Sequence, residues 1–395
     1  MTGERVALWV SAVNQLMDPA ARRARRASRP SLPALQATAA ARTGIVEPPD
    51  PQFLADLREL HACYMSVPEL SFLGMAAVRS ELVRHLGNWL IARDFLRDHP
   101  RTAFVPVERP VFVVGLPRTG TTLLHTLLAS LPGHRAPRMW ELLAPVPASA
   151  GQPQHAQRIR GARRLARISY LASPSLRVIH PIDAHAPEEC VWVLPHSMTH
   201  YTRARMPAYR DWYASRDATP DYLYLRQQLQ ILQWQRPAHR WILKSPFHLW
   251  HLDALLRVFP DATIVWTHRD PAVALASWCS LTEVTMAFHN RRVDLPLLGQ
   301  DWTELWSWAF SRAAGVRAAS PAQFLDVSYS QLTADTESAL DEILAGLGSG
   351  DTVPAQARRR ALAQARGPAR GTHRYTLGRY GLTPRAVADA FPAGG

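Results

Sequence analysis

The sequence predicts an α/β fold in which a central parallel sheet carries helices on both faces and is preceded by a helical N-terminal region. From about residue 106 onward, short apolar segments typical of buried strands alternate with segments of helical periodicity. Upstream, residues 51–98 repeat apolar side chains at intervals of three and four, which is the pattern of an amphipathic helix. Because no segment offers about eighteen consecutive apolar residues, we expect no membrane-spanning helix.

Four strands are expected along the chain, and each is followed by a helix. The predicted strands lie at 111–114, 241–243, 263–266 and 324–327. The predicted helices lie at 122–130, 248–259, 271–281 and 335–347. Strands that are linked through helices run parallel to one another, so these segments predict a single parallel sheet.

We divide the chain into two regions. Residues 1–105 are expected to form a helical region that packs on or extends the core, with a loosely ordered or partly helical arm at 19–50. Residues 106–395 are expected to form the α/β domain, with a helical, substrate-binding insertion at about 150–236. A stretch at 348–371, rich in Gly, Pro and Arg, is expected to be a mobile linker before a short tail.

Composition narrows the range of partners and locations. The three cysteines are far apart, which argues against a disulfide framework or a cysteine metal site, and the start of the chain lacks the pattern of a secretory signal. A reducing, cytoplasmic location is therefore expected.

The net charge of +13 favours an anionic ligand. Of the 45 basic residues only one, Lys244, is a lysine, which singles out its position for a compact ammonium group.

The turn after the first predicted strand has the features of a phosphate-binding loop. Gly115 and Gly120 allow the chain to curl around an anion, and the helix that follows directs its first N–H groups at it. Arg118 adds a fixed cation. The hydroxyl groups expected to donate to the phosphate belong to Thr119, Thr121 and Thr122. Thr121 stands where nucleoside-triphosphate-binding loops have their lysine, which makes a magnesium-dependent kinase or ATPase the weaker interpretation.

A second group of residues follows the predicted strands downstream. Lys244 and Ser245 come at the carboxyl end of one strand, where ligands of open α/β sheets lie. Arg269 leaves the next strand, and Ser277 lies eight residues further, along a predicted helix. Together Arg269 and Ser277 could hold one phosphate, through a charged fork and a hydroxyl group.

These motifs resemble those of sulfotransferases that use 3′-phosphoadenosine 5′-phosphosulfate (PAPS), and the bacterial branch in particular. The resemblance covers roughly residues 108–385. Segment 117–122 looks like the family's 5′-phosphosulfate loop, and Arg269 with Ser277 looks like its 3′-phosphate motif. The resemblance implies a P-loop-like three-layer fold and in-line transfer of a sulfonate from PAPS to a hydroxyl or amine, with 3′-phosphoadenosine 5′-phosphate (PAP) as product and no metal.

The resemblance also implies roles for single residues. Arg118 and Lys244 match positions that contact the transferring group, whereas the family's catalytic histidine would fall at Pro246, so the base must be another residue. Glu141 is favoured over His248 for that role, with Glu188 and Glu189 as more distant candidates. Arg374 is expected to reach the 3′-phosphate, and Tyr329 to lie near the adenine.

Two other function classes remain open from the sequence. One is a P-loop nucleotide kinase or ATPase. The other is a basic nucleic-acid-binding protein, which ranks lower because the arginines are scattered apart from 22–26 and 158–167. For the sulfotransferase, the expected acceptor is a small molecule, a lipid or a glycan, with no nucleic acid and no membrane span. The acceptor is not identified, and a homo-oligomer is left open.

Overall fold

Five parallel strands form the central sheet in the computed structural model, which describes residues 5–146, 154–234, 236–348, 353–366 and 375–391. The strands are β1 (Val111–Gly115), β2 (His134–Arg135), β3 (Arg240–Lys244), β4 (Thr263–His268) and β5 (Gln323–Ser328). Their order across the sheet is β2-β3-β1-β4-β5. The predicted fold class is confirmed, and the one strand that the sequence did not predict is the two-residue β2.

The two faces of the sheet are covered by different helices. Alternate residues of β1 point to opposite faces: Phe112 and Val114 belong to a large core, and Val111 and Val113 to a smaller one. The smaller core includes side chains of α5 (Thr121–Ala129) and α15 (Thr336–Gly346). Each face of the sheet is therefore buried under its own helical layer, which gives three layers.

The N-terminal region consists of four helices that pack onto the large core. They are α1 (Leu8–Arg26), α2 (Leu32–Thr43), α3 (Pro51–Ser66) and α4 (Phe72–Asp98). At the start of α4, Ser71 N donates to His289 O over 2.8 Å. A Cβ atom on Gly74 would lie 2.2 Å from that same oxygen, so only glycine permits this approach. The arm expected at 19–50 is folded into α1 and α2.

The helices between β2 and β4 position several residues of the site. They are α6 (Met139–Leu143), α7 (Gln154–Ala172), α8 (Leu176–Ile179), α9 (Pro207–Ser215), α10 (Thr219–Gln233) and α11 (Leu252–Val258). The helix expected at 248–259 is only half α-helical, because residues Pro246–His251 form a 3₁₀ segment before α11. Ser245 begins this segment, and its Oγ accepts from Phe247 N over 3.1 Å.

The helices after β4 complete the layers. They are α12 (Pro271–His289), α13 (Leu295–Ala319), α14 (Tyr329–Ala334), α15, α16 (Ala355–Arg366) and α17 (Pro384–Ala390). The prediction of a linker over 348–371 is wrong for its central part. Residues 355–366 form α16, since Ala361 and Leu362 are buried in the smaller core. None of the helices in the described residues is both long enough and apolar enough to cross a membrane.

Candidate active site

The loop between β1 and α5 adopts a backbone that few residues other than glycine allow. Gly115 has φ 142° and Gly120 has φ 88°. A Cβ on Gly115 would lie 2.4 Å from Thr267 Oγ1, and one on Gly120 would lie 3.1 Å from the Tyr329 ring. Arg118 also has a positive φ of 70°. A non-glycine residue in this region is strained and is characteristic of ligand-binding turns.

Two buried threonines hold the loop against β4. Thr119 Oγ1 donates to Leu116 O over 2.6 Å and lies 2.5 Å from Thr267 Oγ1. Thr267 Oγ1 lies 3.1 Å from Val114 O. The Thr119 hydroxyl, expected to face a phosphate, is thus engaged inside the loop. Thr267 was not predicted, although its place at the end of β4 opposite Gly115 is the signal that would have found it.

The amino end of α5 has main-chain donors of the kind that a phosphate-binding loop uses. The first N–H groups of a helix have no acceptor within it, and the helix dipole adds partial positive charge at that end. Here those amides belong to the residues that follow Gly120, which is the N-cap of α5. Thr122 is exposed, whereas Thr121 is buried. The loop can therefore present main-chain donors and the Thr122 hydroxyl to an anion.

Arg118, Arg269 and Ser277 meet beside this loop. Arg118 Nε donates to Ser277 Oγ over 3.1 Å, and Arg269 Nη1 donates to Arg118 O over 2.8 Å. The Arg269 guanidinium also lies over the Tyr329 ring, 3.9 Å from its centroid. The structure thus brings together both predicted phosphate motifs and Tyr329, from three different strand ends. Arg374 lies outside the described residues.

Lys244 ends β3 and is paired with a carboxylate. Its Nζ lies 2.6 Å from Glu189 Oε1, and the Lys244 side chain is 2% exposed against 17% for Glu189. A main-chain hydrogen bond from Glu188 N to Pro137 O holds the segment that carries Glu189, and the Glu188 carboxylate accepts from Glu189 N over 2.9 Å. Glu189 Oε2 has no hydrogen-bond or ion-pair partner among the residues that the structure describes.

His248 is enclosed in the core behind Lys244. Its Nε2 lies 3.0 Å from Cys190 Sγ, and its Nδ1 lies 3.0 Å from the Tyr222 hydroxyl. Burial lowers the pKa of His248 to about 3 and raises the pKa of the Cys190 thiol to about 12. The imidazole is 1% exposed and edge-on to Phe112, so it has no path to a substrate hydroxyl in this arrangement.

Both carboxylate oxygens of Glu141, on the helix that follows β2, are used in hydrogen bonds to neighbouring residues. One carboxylate oxygen accepts from Arg135 Nη2 and the other from Arg138 N, each over 2.9 Å. Arg135 also donates to main-chain oxygens of Leu232 and Arg236, which precede β3. These contacts direct the Glu141 carboxylate toward the segment leading into the amino end of β3, whereas the phosphate loop lies at the carboxyl end of the sheet.

The match to a family model agrees with this geometry. The model described as the sulfotransferase family matches residues 110–351, more than half of the chain. The chain belongs to that sulfotransferase family. The matched region contains β1 to β5, the phosphate loop and the Lys244–Glu189 pair. Within the described residues, no group of three or more His, Cys, Asp or Glu side chains is arranged to hold a metal ion.

Individual relatives agree with the family assignment. The chain is 27% identical over 267 residues to omega-hydroxy-beta-dihydromenaquinone-9 sulfotransferase Stf3 of Mycobacterium bovis and Mycobacterium tuberculosis. That alignment covers 62% of this chain and spans 64% of the length of those curated relatives.

Two solved structures share the fold over most of the chain. Sulfotransferase STF1 from Mycobacterium tuberculosis has a TM-score of 0.80 and 32% identity, over 91% of this chain and 97% of its own. Sulfotransferase STF9 from Mycobacterium avium also has a TM-score of 0.80, with 26% identity, over 90% of this chain and 93% of its own.

Proposed function

We propose that this protein transfers a sulfonate group from PAPS to a hydroxyl group of an apolar acceptor. The observation that carries the proposal is the convergence of Arg118, Arg269 and Ser277 at the amino end of α5. A nucleotide with a 5′-phosphosulfate and a 3′-phosphate needs two anion sites that are no further apart than its own two anionic groups. The helix N-terminus would be one such site, and Arg269 together with Ser277 would be the other.

The donor fits the residues that the structure brings together. The α5 amides and Thr122 would hold the 5′-phosphosulfate, and Arg269 with Ser277 would hold the 3′-phosphate. Arg118 lies between them, because its main chain belongs to the loop and its Nε contacts Ser277. Tyr329 packs on the Arg269 guanidinium and would fix its orientation near the nucleotide. A contact from Arg374 to the 3′-phosphate remains a prediction.

In the proposed reaction PAPS supplies an activated sulfonate, and an acceptor oxygen forms the new S–O bond as the bond from sulfur to the phosphate oxygen breaks. Arg118 and Lys244 would stabilise the negative charge that moves onto the departing phosphate, which is released as PAP. The loop amides would hold the sulfonate oxygens in place for an in-line approach. The acceptor proton must go to a base at the carboxyl end of the sheet.

We infer that Glu189 is this base. Its Oε1 is held by Lys244, while Oε2 is without a partner among the described residues, and its side chain is 17% exposed. An acceptor hydroxyl can therefore reach it. Glu141 accepts two hydrogen bonds from its own surroundings, and His248 is enclosed between Cys190 and Tyr222. Glu189 is the carboxylate that lies beside a residue of the proposed transfer site.

The acceptor class follows from similarity. The curated relative Stf3 is named for an omega-hydroxylated dihydromenaquinone, which is a lipid carrying a terminal hydroxyl. We propose that this chain likewise uses the hydroxyl of a lipid-like molecule. Its class is testable by offering PAPS with separate panels of phenols, sterols, lipoquinols and glycans, and detecting the added sulfonate by mass.

The donor assignment is tested by ligand binding and by one matched pair of variants. We expect PAP, without metal, to raise the melting temperature of the wild-type protein more than ATP with magnesium does. Arg118→Ala should lower kcat/KM for PAPS by about 10²-fold or more, as loss of a charge-stabilising donor does elsewhere. Arg385→Ala is the control, because this arginine on α17 is 92% exposed. Unchanged turnover in Arg118→Ala would sink the assignment.

The base is tested by comparing substitutions by glutamine at three positions. Glu189→Gln should reduce kcat by about 10²-fold or more, because general-base help is typically worth about 10²–10⁴-fold. Glu141→Gln and His248→Gln should leave kcat of the folded protein within about threefold of wild type, since neither side chain reaches the site. The reverse ranking would transfer the role to one of those two residues.

A further inference from the structure

One side of the molecule carries an unusual concentration of exposed apolar side chains. Among the described residues eleven large hydrophobic side chains are exposed, and five of them lie on α1 and the end of α7. They are Leu8 at 70%, Trp9 at 44%, Leu16 at 79%, Ile168 at 45% and Leu171 at 54% exposure. Large apolar groups collected in one place mark an interaction surface more often than the same groups scattered singly.

Direct contacts join the two helices that carry these side chains. Ala7 N, just before α1, donates to Ala172 O at the end of α7 over 2.8 Å. The Trp9 indole Nε1 donates to Leu171 O over 3.1 Å. Leu8 and Leu16 are eight residues apart on α1 and therefore lie on the same side of that helix. We call the five exposed apolar residues of α1 and α7 the apolar face.

Arginines border the apolar face on both sides. The exposed surface of α7 before Ile168 consists largely of Arg160, Arg163, Arg164 and Arg167, and α7 contains no acidic residue. Among the described residues none of these four forms an ion pair with a carboxylate. At the other end, the last turn of α1 carries Arg23, Arg25 and Arg26. Apolar side chains flanked by arginine are typical of helices that lie in a membrane interface.

We propose that the apolar face and its bordering arginines dock on the surface of a lipid bilayer that carries anionic headgroups. Leu, Ile and Trp side chains would enter the boundary between headgroups and acyl chains, and the arginines would contact phosphates. A second copy of this chain fits less well. A two-fold interface places the same surface on both subunits, so the arginine-rich α7 helices would approach each other.

The docking surface is connected to the transfer site through one short helix. Helix α8 follows α7 directly, and its Ile179 O accepts from Arg118 Nη1 over 3.3 Å. A lipid acceptor is confined to a bilayer, and its hydroxyl has to reach the phosphate loop. Docking through α1 and α7 would place that loop near the membrane surface. The docking itself does not depend on the proposed chemistry.

Vesicle flotation of the full-length protein tests the proposal. We expect binding to vesicles of phosphatidylcholine mixed with phosphatidylglycerol, weaker binding to phosphatidylcholine alone, and loss of binding at high salt. The double variant Arg164→Ala/Arg167→Ala should bind the anionic vesicles roughly 25-fold more weakly, at about fivefold for each arginine. Leu16→Glu/Leu171→Glu should reduce binding to both vesicle types by at least about tenfold.

Controls separate docking from folding, activity and self-association. Leu223→Glu makes the same change at a side chain that is 42% exposed on α10, and it should bind vesicles as the wild type does. Melting temperatures and PAP binding should be unchanged in all three variants, whether or not the sulfotransfer proposal holds. The proposal fails if wild type does not float with anionic vesicles, or if Leu223→Glu impairs binding as strongly as Leu16→Glu/Leu171→Glu. It also fails if the latter variant converts a dimer to a monomer in sedimentation equilibrium while vesicle binding stays unchanged.

Discussion

Removing one partner of the Lys244–Glu189 pair should cost more stability when the lysine is the partner left behind. The Nζ and Oε1 atoms are 2.6 Å apart, and the side chains are 2% and 17% exposed. Breaking a buried ion pair from one side costs about 3–5 kcal/mol, because the remaining charge stays desolvated. In Glu189→Gln that remaining charge is the fully buried ammonium. In Lys244→Met it is the Glu189 carboxylate, which is partly hydrated, so a cost of about 1–3 kcal/mol is expected.

These costs correspond to measurable shifts in melting temperature. At about 2.1 cal/mol/K per residue, the 395 residues have an unfolding entropy of about 0.8 kcal/mol/K. Glu189→Gln should therefore lower the melting temperature by about 4–6 °C, and Lys244→Met by about 1–4 °C. Lys244→Met/Glu189→Gln leaves no charge without its partner. Its loss of stability should therefore be smaller than the sum of the losses in the two single variants by about 0.5–3 kcal/mol.

The assay is urea unfolding monitored by tryptophan fluorescence, with calorimetry as a second probe of the transition. Arg257→Ala is a matched control, since its ion pair with Asp217 joins side chains that are 55% and 67% exposed. Exposed pairs contribute about 0.2–1 kcal/mol, so this variant should move the midpoint little. The reasoning is refuted if Lys244→Met is the more destabilised single variant, or if the two single changes are additive in the double variant.

Three further perturbations test separate parts of the molecule. Gly120→Ala should abolish most transfer, because φ is 88° and a Cβ would lie 3.1 Å from the Tyr329 ring. The control Gly315→Ala lies in an open helical position and should instead raise the free energy of unfolding by up to about 1 kcal/mol. Arg269→Lys should weaken PAP binding about tenfold in calorimetric titration, since lysine cannot both donate to Arg118 O and stack on Tyr329. Burial lowers the pKa of His125, His200 and His248 to about 3, so the unfolded chain binds more protons than the folded protein below about pH 6.5, and the free energy of unfolding should fall as pH decreases toward 4. His248→Gln should reduce the slope of the free energy of unfolding against pH by about 1.4 kcal/mol per pH unit. An unchanged slope would mean that His248 does not titrate on unfolding.

The strands that form the centre of the sheet were predictable because each is long enough to show a continuous apolar pattern. All five residues of β1 and of β3 are buried, as strands covered on both faces require. Strand β2 has only two residues, His134–Arg135, and its pairing with β3 is visible only in three dimensions. Helix α16 was missed because its arginine-rich sequence resembles a linker, whereas two buried side chains, Ala361 and Leu362, anchor it on the smaller core.

The residues proposed to contact the phosphates could be placed from the sequence because each motif is local to a strand end. The partner of the lysine could not, because it depends on how a distant segment returns to the sheet. Glu189 lies 55 positions before Lys244, and the pairing of Arg138 with Pro187 fixes where it arrives. Glu141 has a spacing from the loop that suggests catalysis, but its capping box and its ion pair to Arg135 use both carboxylate oxygens.

The single lysine of the chain gains a physical explanation from this pairing. Lys244 is 2% exposed, and its Nζ is held by one carboxylate oxygen of Glu189 over 2.6 Å. Its charge also contributes, after burial, to the lowered pKa of His125. A guanidinium has five donors in a wide planar fork, and in this enclosed position most of them would be left without acceptors. An ammonium group needs fewer acceptors and can turn one donor toward the phosphate loop. Among the arginines whose burial the structure describes, all but Arg240 are exposed or half-buried, whereas the enclosed position 244 favours the smaller cation.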